Sequence, residues 1–441
     1  MRKAMRTFPK RPHNVAKILL ARPVKGRYWP TVTRGAVNIR IAIAFDNLGP
    51  YHVARLVGAA RHAEVLALET AATTAQYGWD TPETPAGLQH HVLFDTEDAI
   101  TRANLGTAID HALRAFAPDA VAVPGWSSAT SLAITRWAVK RGIPVIAMSE
   151  SNAWDFGRNP VAEYLKRRIA EYFSAGLCTS DGQAAYLREL GLPAAAIFRG
   201  YNAVDNDYFA RESARVRDGV MPDGDNGPLP EEARGRYFLA SCRFIPKKNL
   251  ALMLEAYALF RRDRDEDTAD WPLVLLGDGE LRPALEDQRD SLGLWGHVHL
   301  PGFRQYEELP HYYGSGGCFL HTSSIEQWGL VVNEAMAAGL PVIVSNHSGC
   351  CAVLVRDGIN GFSFAPDDIE ALVAAMRSIA SQPDDRAMRQ ASRALVAEWG
   401  PDRFGEGMAA AADYATTAPP VRPSPIARAA MAVAIARTPL R

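Results

Sequence analysis

The sequence predicts an α/β protein with two Rossmann-like domains, each built on a doubly wound parallel sheet, that face each other across a cleft. Its 441 residues exceed what a single hydrophobic core usually serves. Short apolar runs alternate with segments of helical length, which is typical of parallel strands covered by helices on both faces. The alternation stops in a polar stretch rich in Gly and Pro, residues 212–235, and then starts again.

The chain begins with a basic segment, residues 1–37, which we interpret as a flexible extension. Residues 1–45 contain eleven Lys or Arg and no Asp or Glu. Clustered cations attract anionic lipid at about 1 kcal/mol each. Peripheral association with an anionic membrane therefore stays open beside a solvated segment without function.

The first predicted domain spans residues 38–205. Its strands are the apolar runs RIAIAF (40–45), EVLALE (64–69), AVAVPG (120–125), PVIAMS (144–149) and GLCTS (176–180). Ligands of open α/β sheets bind beyond the carboxyl ends of the strands. The candidate cleft residues that follow these runs are Gly49, His52, Trp126, Ser127 and Glu150. For His52, a capping role at a helix start is an equally open interpretation.

The second predicted domain spans residues 236–400, after a linker or mobile loop at 206–235. Its strands are RYFLASCR (236–243), WPLVLLGDG (271–279), HVHLPGF (297–303), GCFLHTS (317–323) and LPVIVSN (340–346). We expect a helix at 401–416 to return to the first domain. The Pro/Ala-rich basic tail, residues 417–441, is expected to be disordered in preference to forming a surface helix.

Composition excludes several classes of protein. With 48% hydrophobic and 22% charged residues, the chain is typical of soluble globular proteins, and no apolar run reaches the roughly 18 residues of a membrane span. The five cysteines form no CxxC pair and have no metal-ligand spacing with histidine, so we expect no zinc site and a reducing, cytoplasmic location. No pattern of interleaved basic and aromatic residues indicates a nucleic-acid partner.

The stretch SSIEQWGLVVNEAMAAGLPVIVSN (323–346) places a helix start after a strand. Backbone amides at a helix start attract anions, so Gly329, Leu330 and Val331 form a candidate phosphate cradle. Glu326 precedes this cradle and Glu334 lies about one turn after it, where carboxylates can accept hydrogen bonds from hydroxyl groups. A sugar nucleotide contains both phosphate anions and hydroxyl groups. Solvated charges beside a helix are the alternative for both glutamates.

A loop with three cations follows the first strand of the second domain. Arg243 and Lys248 are expected to face the same edge of the sheet as the cradle, whereas Lys247 is interpreted as a surface charge. Arg presents a planar fork to phosphate oxygens and Lys a point charge. Fixed cations there would stabilise the charge that grows on a departing nucleoside diphosphate.

Five segments resemble, in order and spacing, the C-terminal half of glycosyltransferase family 4, the retaining enzymes of GT-B architecture. They are RFIPKKN (243–249), GDGELRPALE (277–286), LPGF (300–303), SSIEQWGLVVNEAMAAGLPVIVSN (323–346) and DGINGFSFAPDD (357–368). The resemblance extends over residues 38–415 and is weaker in the first half.

The resemblance implies a role for each matching residue. Arg243 and Lys248 would bind the donor pyrophosphate, and Glu326 would lie near the reacting carbon of the donor sugar, which makes these three the catalytic candidates. Glu334 would bind the ribose hydroxyls. The base would lie near Gly302 and Phe303, and the Gly329 cradle would complete the donor site. The resemblance implies no metal, and the nucleoside diphosphate sugar is a co-substrate rather than a cofactor.

The first domain departs from the family pattern. Many members carry a Gly-Gly loop after the first strand, where this chain has FDNLGPYHVARL, and a histidine near the donor sugar, where this chain has Ser149, Glu150 and Ser151. The catalytic histidine is therefore not carried over. Gly49, His52, Trp126, Ser127 and Glu150 are assigned to the acceptor side.

Three functions stay open. The first is retaining transfer of a hexosyl unit from a nucleoside diphosphate sugar to a hydroxyl of a lipid-linked, glycan or small-molecule acceptor. The second is a sugar-nucleotide 2-epimerase of the same architecture. The third is a catalytically silent partner that binds sugar nucleotides within a glycan assembly complex.

Overall fold

A computed structural model describes residues 39–73, 84–155, 157–220, 235–262, 271–382 and 384–440. The predicted basic extension, residues 1–37, therefore lies outside the described residues. So do residues 221–234 of the predicted linker.

Two separate sheets form the cores of two domains. The first has seven strands in the order β3-β2-β1-β4-β5-β6-β7, and the second has six in the order β10-β9-β8-β11-β12-β13. Every pairing between these strands is parallel. The predicted pair of doubly wound sheets is thus confirmed. The strands are β1 (Arg40–Phe45), β2 (Glu64–Thr73), β3 (Gln89–Thr96), β4 (Ala120–Val123), β5 (Val145–Met148), β6 (Ala175–Cys178), β7 (Ile197–Arg199), β8 (Phe238–Ser241), β9 (Leu273–Leu276), β10 (Val298–Gly302), β11 (Cys318–His321), β12 (Val342–Ser345) and β13 (Gly361–Phe364).

Helices cover both faces of each sheet. Along β1, Ile41 and Ile43 pack into one hydrophobic cluster and Ala42 and Ala44 into another, because successive side chains of a strand point to opposite faces. The helices are α1 (Pro50–Ala60), α2 (Leu105–Phe116), α3 (Ala129–Val139), α4 (Pro160–Ala170), α5 (Asp181–Glu189), α6 (Asn206–Arg217), α7 (Leu250–Arg262), α8 (Arg282–Ser291), α9 (Leu309–Ser315), α10 (Leu330–Ala337), α11 (Cys351–Leu354), α12 (Ile369–Ala380), α13 (Arg386–Val396), α14 (Pro401–Thr417) and α15 (Pro425–Arg437). Among the described residues, no helix has both the length and the apolarity needed to cross a membrane.

The linker predicted at 206–235 is wrong for its first part, because residues 206–217 form α6. The Asp205 side chain caps this helix by accepting a hydrogen bond from the Tyr208 amide at 2.9 Å. Phe209, Ser213 and Val216 are buried, and their spacing places them on one face of a helix. The many charged residues on the other face hid this pattern in the sequence.

The two C-terminal helices both pack on the first domain. α14 lies against α1 so closely that a side chain at Gly58 would collide with the backbone of Pro401. The tail that was expected to be disordered forms α15, so that expectation was wrong. Ser424 caps α15 by accepting a hydrogen bond from the Ala427 amide at 3.1 Å. Ala427 and Met431 are fully buried in the core of the first domain.

Candidate functional site

A cavity of about 690 Å³ lies between the two domains, at the carboxyl ends of strands from both sheets. The first domain contributes residues that follow β4 and β5, and the second domain contributes residues that follow β8 and β11. The lining residues are Pro124, Gly125, Trp126, Ser127, Met148, Ser149, Glu150, Ser151, Tyr201, Ser241, Cys242, Arg243, Lys247, Lys248, Glu326, Gln327 and Val331. The fold thus brings Arg243, Lys248 and Glu326 together with Glu150 and Trp126.

Hydrogen bonds between two strand-end loops fix the lysines beside Glu326. The Thr322 hydroxyl donates to the Lys248 carbonyl at 3.0 Å, and the Ser324 amide donates to the Lys247 carbonyl at 2.9 Å. Asn249 turns the chain with a left-handed φ of 55°, which asparagine adopts more readily than most residues. The loops after β8 and β11 therefore act as one unit.

Glu326 is the electrostatic centre of the cavity. Its carboxylate accepts hydrogen bonds from Lys248 and, at 3.4 Å, from Nζ of Lys247. Burial alone would raise the pKa of Glu326, but the charge and hydrogen bond of Lys248, with smaller contributions from His321 and Lys247, lower that pKa to about 2. The Glu326 carboxylate is therefore ionised at neutral pH. Lys247 was interpreted as a surface charge, and the structure places it instead in the cavity.

Gly329 occupies the N-cap position directly before α10, so the predicted helix start at Leu330 is confirmed. Its φ is 104°, and an added Cβ would lie 3.3 Å from Nε2 of His321 and 3.4 Å from Sγ of Cys350. This backbone conformation favours glycine. Of the three predicted cradle residues, Val331 lines the cavity, whereas Gly329 and Leu330 are not among the lining residues.

Glu334, which was expected to bind ribose hydroxyls, is not among the residues that line the cavity. It is fully buried, and its two oxygens accept hydrogen bonds from the hydroxyl of Tyr51 and, at 2.6 Å, from that of Tyr313. Burial raises the pKa of Glu334 to about 7, although both tyrosine hydroxyls act in the opposite direction. Tyr51 comes from the first domain, so this carboxylate forms part of the contact between the domains rather than of the cavity wall.

The residues assigned to the acceptor side fall into two groups. Trp126, Ser127 and Glu150 line the cavity. Burial raises the pKa of Glu150, the charge of Arg55 opposes that rise, and the charge of Glu326 adds to it. Gly49 and His52 do not line the cavity. Nδ1 of His52 instead accepts a hydrogen bond from the Gly49 amide at 3.0 Å at the start of α1.

His52 therefore has the capping role that was the alternative interpretation. Burial lowers the pKa of this imidazole to about 3, and the charge of Arg55 adds to the effect. Gly302 and Phe303, at the end of β10, also lie outside the cavity lining. The carbonyl of Gly302 accepts a hydrogen bond from the Gly277 amide at 3.0 Å, which joins the ends of β9 and β10.

Direct contacts hold the two domains together beside the cavity. Nε2 of Gln183, in α5, donates to the Gln327 carbonyl at 3.2 Å, and Tyr51, in α1, donates to Glu334. Both contacts reach the segment that contains Glu326 and Gly329. The sequence did not predict a role for Gln183, Tyr51 or Gln327. For Gln327, its position next to Glu326 could have indicated that it lies near the cavity, but no pattern marked the other two.

Part of the chain is similar to known glycosyltransferases. Residues 226–394 match a family model described as Glycosyl transferases group 1. The chain is 26% identical over 238 residues to an alpha-D-kanosaminyltransferase of Streptomyces kanamyceticus, covering 52% of this chain and 56% of that protein. It is 31% identical over 220 residues to O-antigen chain mannosyltransferase B of Escherichia coli, covering 48% of this chain and 53% of that protein. The match thus spans about half the length of these relatives.

A solved structure shares the arrangement of both domains. Anabaena Alr3699/HepE in complex with UDP and glucose aligns with a TM-score of 0.63 and 16% identity, covering 84% of this chain and 98% of that one. At this identity the likeness shows the fold. The expected GT-B architecture, with two Rossmann-like domains across a cleft, is confirmed.

Proposed function

We propose that the protein is a glycosyltransferase that moves a sugar unit from a nucleoside diphosphate sugar to a hydroxyl acceptor. The observation that carries this proposal is the convergence of Arg243, Lys248 and Glu326 in one cavity between the domains. The match of residues 226–394 to group 1 glycosyltransferases and the UDP and glucose bound by the HepE structure support the choice of donor.

In this proposal the cations of the second domain bind the donor diphosphate. Arg243 and Lys248 would stabilise the negative charge that develops on the departing nucleoside diphosphate, which is the part of the reaction where fixed charges lower the barrier. Lys247, at 3.4 Å from Glu326, is a third cation on the same wall. The amides that begin α10 would hold a phosphate group, since they carry the positive end of the helix dipole.

The two glutamates have separate proposed tasks. Glu326 stays ionised between two lysines and would stabilise positive charge at the reacting carbon of the sugar. Glu334 would bind the ribose hydroxyls after the Tyr51 hydroxyl has moved away, because both its oxygens are occupied here. Donor binding would thus require a small rearrangement of the domain contact, and domain motion is common in clefts of this kind.

The finer assignments rest on the family resemblance. We propose membership of family 4, transfer of a hexosyl unit and retention of anomeric configuration through attack on the face from which the nucleotide leaves. The leaving phosphate would help to remove the acceptor proton. This scheme uses the sugar nucleotide as co-substrate and calls for no metal ion.

The acceptor is proposed to enter from the first domain. Trp126, Ser127 and Glu150 line that side of the cavity. Tryptophan offers an apolar face to a sugar ring, and the hydroxyl and carboxylate can hold acceptor hydroxyls. A lipid-linked, glycan or small-molecule acceptor fits this chemistry. We propose a cytoplasmic enzyme that associates with the inner face of an anionic membrane.

Release of nucleoside diphosphate from UDP-, GDP- and ADP-sugars, with and without hydroxyl acceptors, tests the reaction. We expect one donor to turn over faster with an acceptor, and Arg243→Met to slow this turnover by roughly a hundredfold, the effect of losing one preorganised donor. Arg386→Met, which removes a guanidinium whose side chain is 88% exposed, is the matched control. If Arg243→Met matches this control, the proposed donor site is wrong.

The same assay separates the alternatives. A 2-epimerase would convert the donor sugar into its epimer without an acceptor and without net transfer. A silent binding partner would bind a nucleotide and release no product with any acceptor. Wild-type turnover that depends on the acceptor excludes both.

A further inference from the structure

We propose that the outer face of α15, together with the adjoining exposed face of α4, docks onto an anionic lipid surface. This inference names the surface for the membrane association proposed above, and it does not depend on the proposed reaction. The docking face is defined by Val161, Tyr164, Arg167, Ile426 and Val433, with Arg428 and Arg437 on α15.

α15 is apolar on both its inner and its outer face. Ala427, Ala430 and Met431 face inward and are buried, whereas Ile426 is 55% and Val433 41% exposed. A helix that is apolar all round is normally covered on all sides, by protein or by membrane. The described part of the protein covers only the inner face of α15.

Specific contacts fix α15 at both ends, so this exposure does not come from a loosely attached tail. At its start, the Ser424 amide donates to Oε2 of Glu171 at 2.9 Å. At its end, Nη2 of Arg102 donates to the carbonyls of Ala436 and Thr438 at 2.9 and 3.0 Å. The fold holds an apolar helix against the first domain with one side open.

The charged residues of the segment that contains α15 have a single sign. Residues 418–441 contain four arginines and no acidic residue. Exposed Arg428 and Arg437 lie near the two ends of α15, where their long side chains can reach lipid headgroups while the apolar residues enter the headgroup boundary.

α4 packs against α15 and also exposes apolar side chains. Val161 and Tyr164 are 68% and 48% exposed, and Arg167 follows them at helical spacing on the same face. Of the ten exposed large hydrophobic residues in the described part of the chain, four lie on α4 and α15. Exposed apolar residues concentrated beside cations are typical of interfacial helices.

A cavity of about 460 Å³ adjoins the C-terminal end of α15. Its apolar walls include Leu105, Ile109, Trp137, Ile435 and Leu440. Its charged residues include four cations, Arg102, Arg136, Lys140 and Arg141, and one acid, Asp110. An apolar cavity with a largely cationic rim fits an acyl chain that carries an anionic headgroup. The cavity therefore favours the same kind of partner as the docking face.

Two other occupants of this face fit its charge less well. A second copy of the chain would bring an equally cationic face against it, since a two-fold contact pairs a surface with itself. The N-terminal extension is also cationic, with eleven Lys or Arg and no acidic residue within residues 1–45. Like charges across an interface repel, which leaves anionic lipid as the complementary partner.

Cosedimentation of the full chain with vesicles tests the proposal. We expect binding to vesicles of phosphatidylcholine and phosphatidylglycerol in equal parts, weak binding to phosphatidylcholine alone, and loss of binding at high salt. The double substitution Ile426→Asp and Val433→Asp should lower the partition coefficient at least about tenfold, since charges replace the apolar anchors. The double substitution Trp295→Asp and Ile359→Asp changes exposed residues of the second domain, which are 76% and 58% exposed, and should leave binding unchanged.

Thermal melting of both double variants keeps the result interpretable, because all four changed residues are exposed and folding should be preserved. Absence of wild-type binding to the anionic vesicles would overturn the proposal. Equal binding of the α15 variant and the wild type would also overturn it, and would assign the binding to the basic N-terminal segment. A wild-type dimer that the α15 variant converts to a monomer, without any vesicle binding, would identify a second copy as the occupant and would refute the lipid partner.

Discussion

Replacing Lys248 by Met should show how strongly the cavity depends on the pair that Lys248 forms with Glu326. In the folded protein the pKa of Glu326 is lowered from its ordinary 4.5 to about 2. At roughly 1.4 kcal/mol for each pKa unit, the ionised carboxylate adds about 3 kcal/mol to the free energy of unfolding at neutral pH. Because the folded pKa is the lower one, this contribution is complete above about pH 4.5 and is lost as the pH falls toward 2.

The magnitude for the variant follows from what remains around Glu326. Lys247 still lies 3.4 Å away, but burial, which opposes ionisation, also remains. We expect Lys248→Met to lower the free energy of unfolding at neutral pH by about 2 to 3 kcal/mol, somewhat less than the loss of a fully buried pair. It should also flatten the decrease in stability between about pH 4.5 and 2.

A double-mutant cycle with Glu326→Gln isolates this pair. Urea unfolding of the wild type, both single variants and the double variant should give a coupling energy of roughly 2 kcal/mol. The same cycle on the exposed pair of Arg386 and Asp384 is the control, and solvent screening should leave this pair with a much smaller coupling. A coupling between Lys248 and Glu326 no larger than the control, or an unchanged acid profile in Lys248→Met, would refute the electrostatic account of the cavity.

Three further predictions concern the segment from Gly329 to Glu334. The pKa of Glu334 is raised to about 7, so the wild type should lose up to roughly 3 kcal/mol of unfolding free energy as the pH rises from about 4.5 to 7. Urea unfolding of Glu334→Gln should no longer show this decrease of stability with pH. If the variant shows the same decrease, another titrating group causes it. Tyr51→Phe removes a hydrogen bond to the buried carboxylate of Glu334 and should lower the free energy of unfolding by about 1.5 to 3 kcal/mol. If urea unfolding shows no measurable loss, the hydrogen bond between Tyr51 and Glu334 does not stabilise the contact between the domains. Gly329→Ala forces an alanine to a φ of 104° and should lower the free energy of unfolding by about 1 to 2 kcal/mol. It should also weaken nucleotide binding measured by calorimetry. If the variant binds nucleotide as tightly as the wild type, the turn at Gly329 is not part of the donor site.

The sequence predicted the elements whose signal is local. Strands such as β1 and β12 were found because continuous apolar runs suffice to identify buried parallel strands. The edge strand β3 was missed because Gln89, His90 and His91 break its apolar run. β7 was missed because three residues are too few to show any period.

The sequence predicted those site residues that come directly after a strand. Arg243, Lys248 and Glu326 each follow a strand, so the topology of parallel sheets brought them to one edge. The partners of Glu334 were not predictable, because Tyr51 lies 283 residues away in the chain and only the docking of the two domains brings it near. Likewise, α15 carries no amphipathic pattern, so its burial against α3 and α4 became visible only in the folded protein.

The most direct test of the central claim is calorimetric titration of the wild type and Arg243→Met with UDP, GDP and ADP and their common sugar conjugates. The proposed donor site predicts that one nucleotide family binds the wild type and that Arg243→Met weakens this binding at least about tenfold, or roughly 1.4 kcal/mol. Absence of binding by every nucleotide, or equal binding by the variant, would contradict a sugar-nucleotide site in the cavity between the domains.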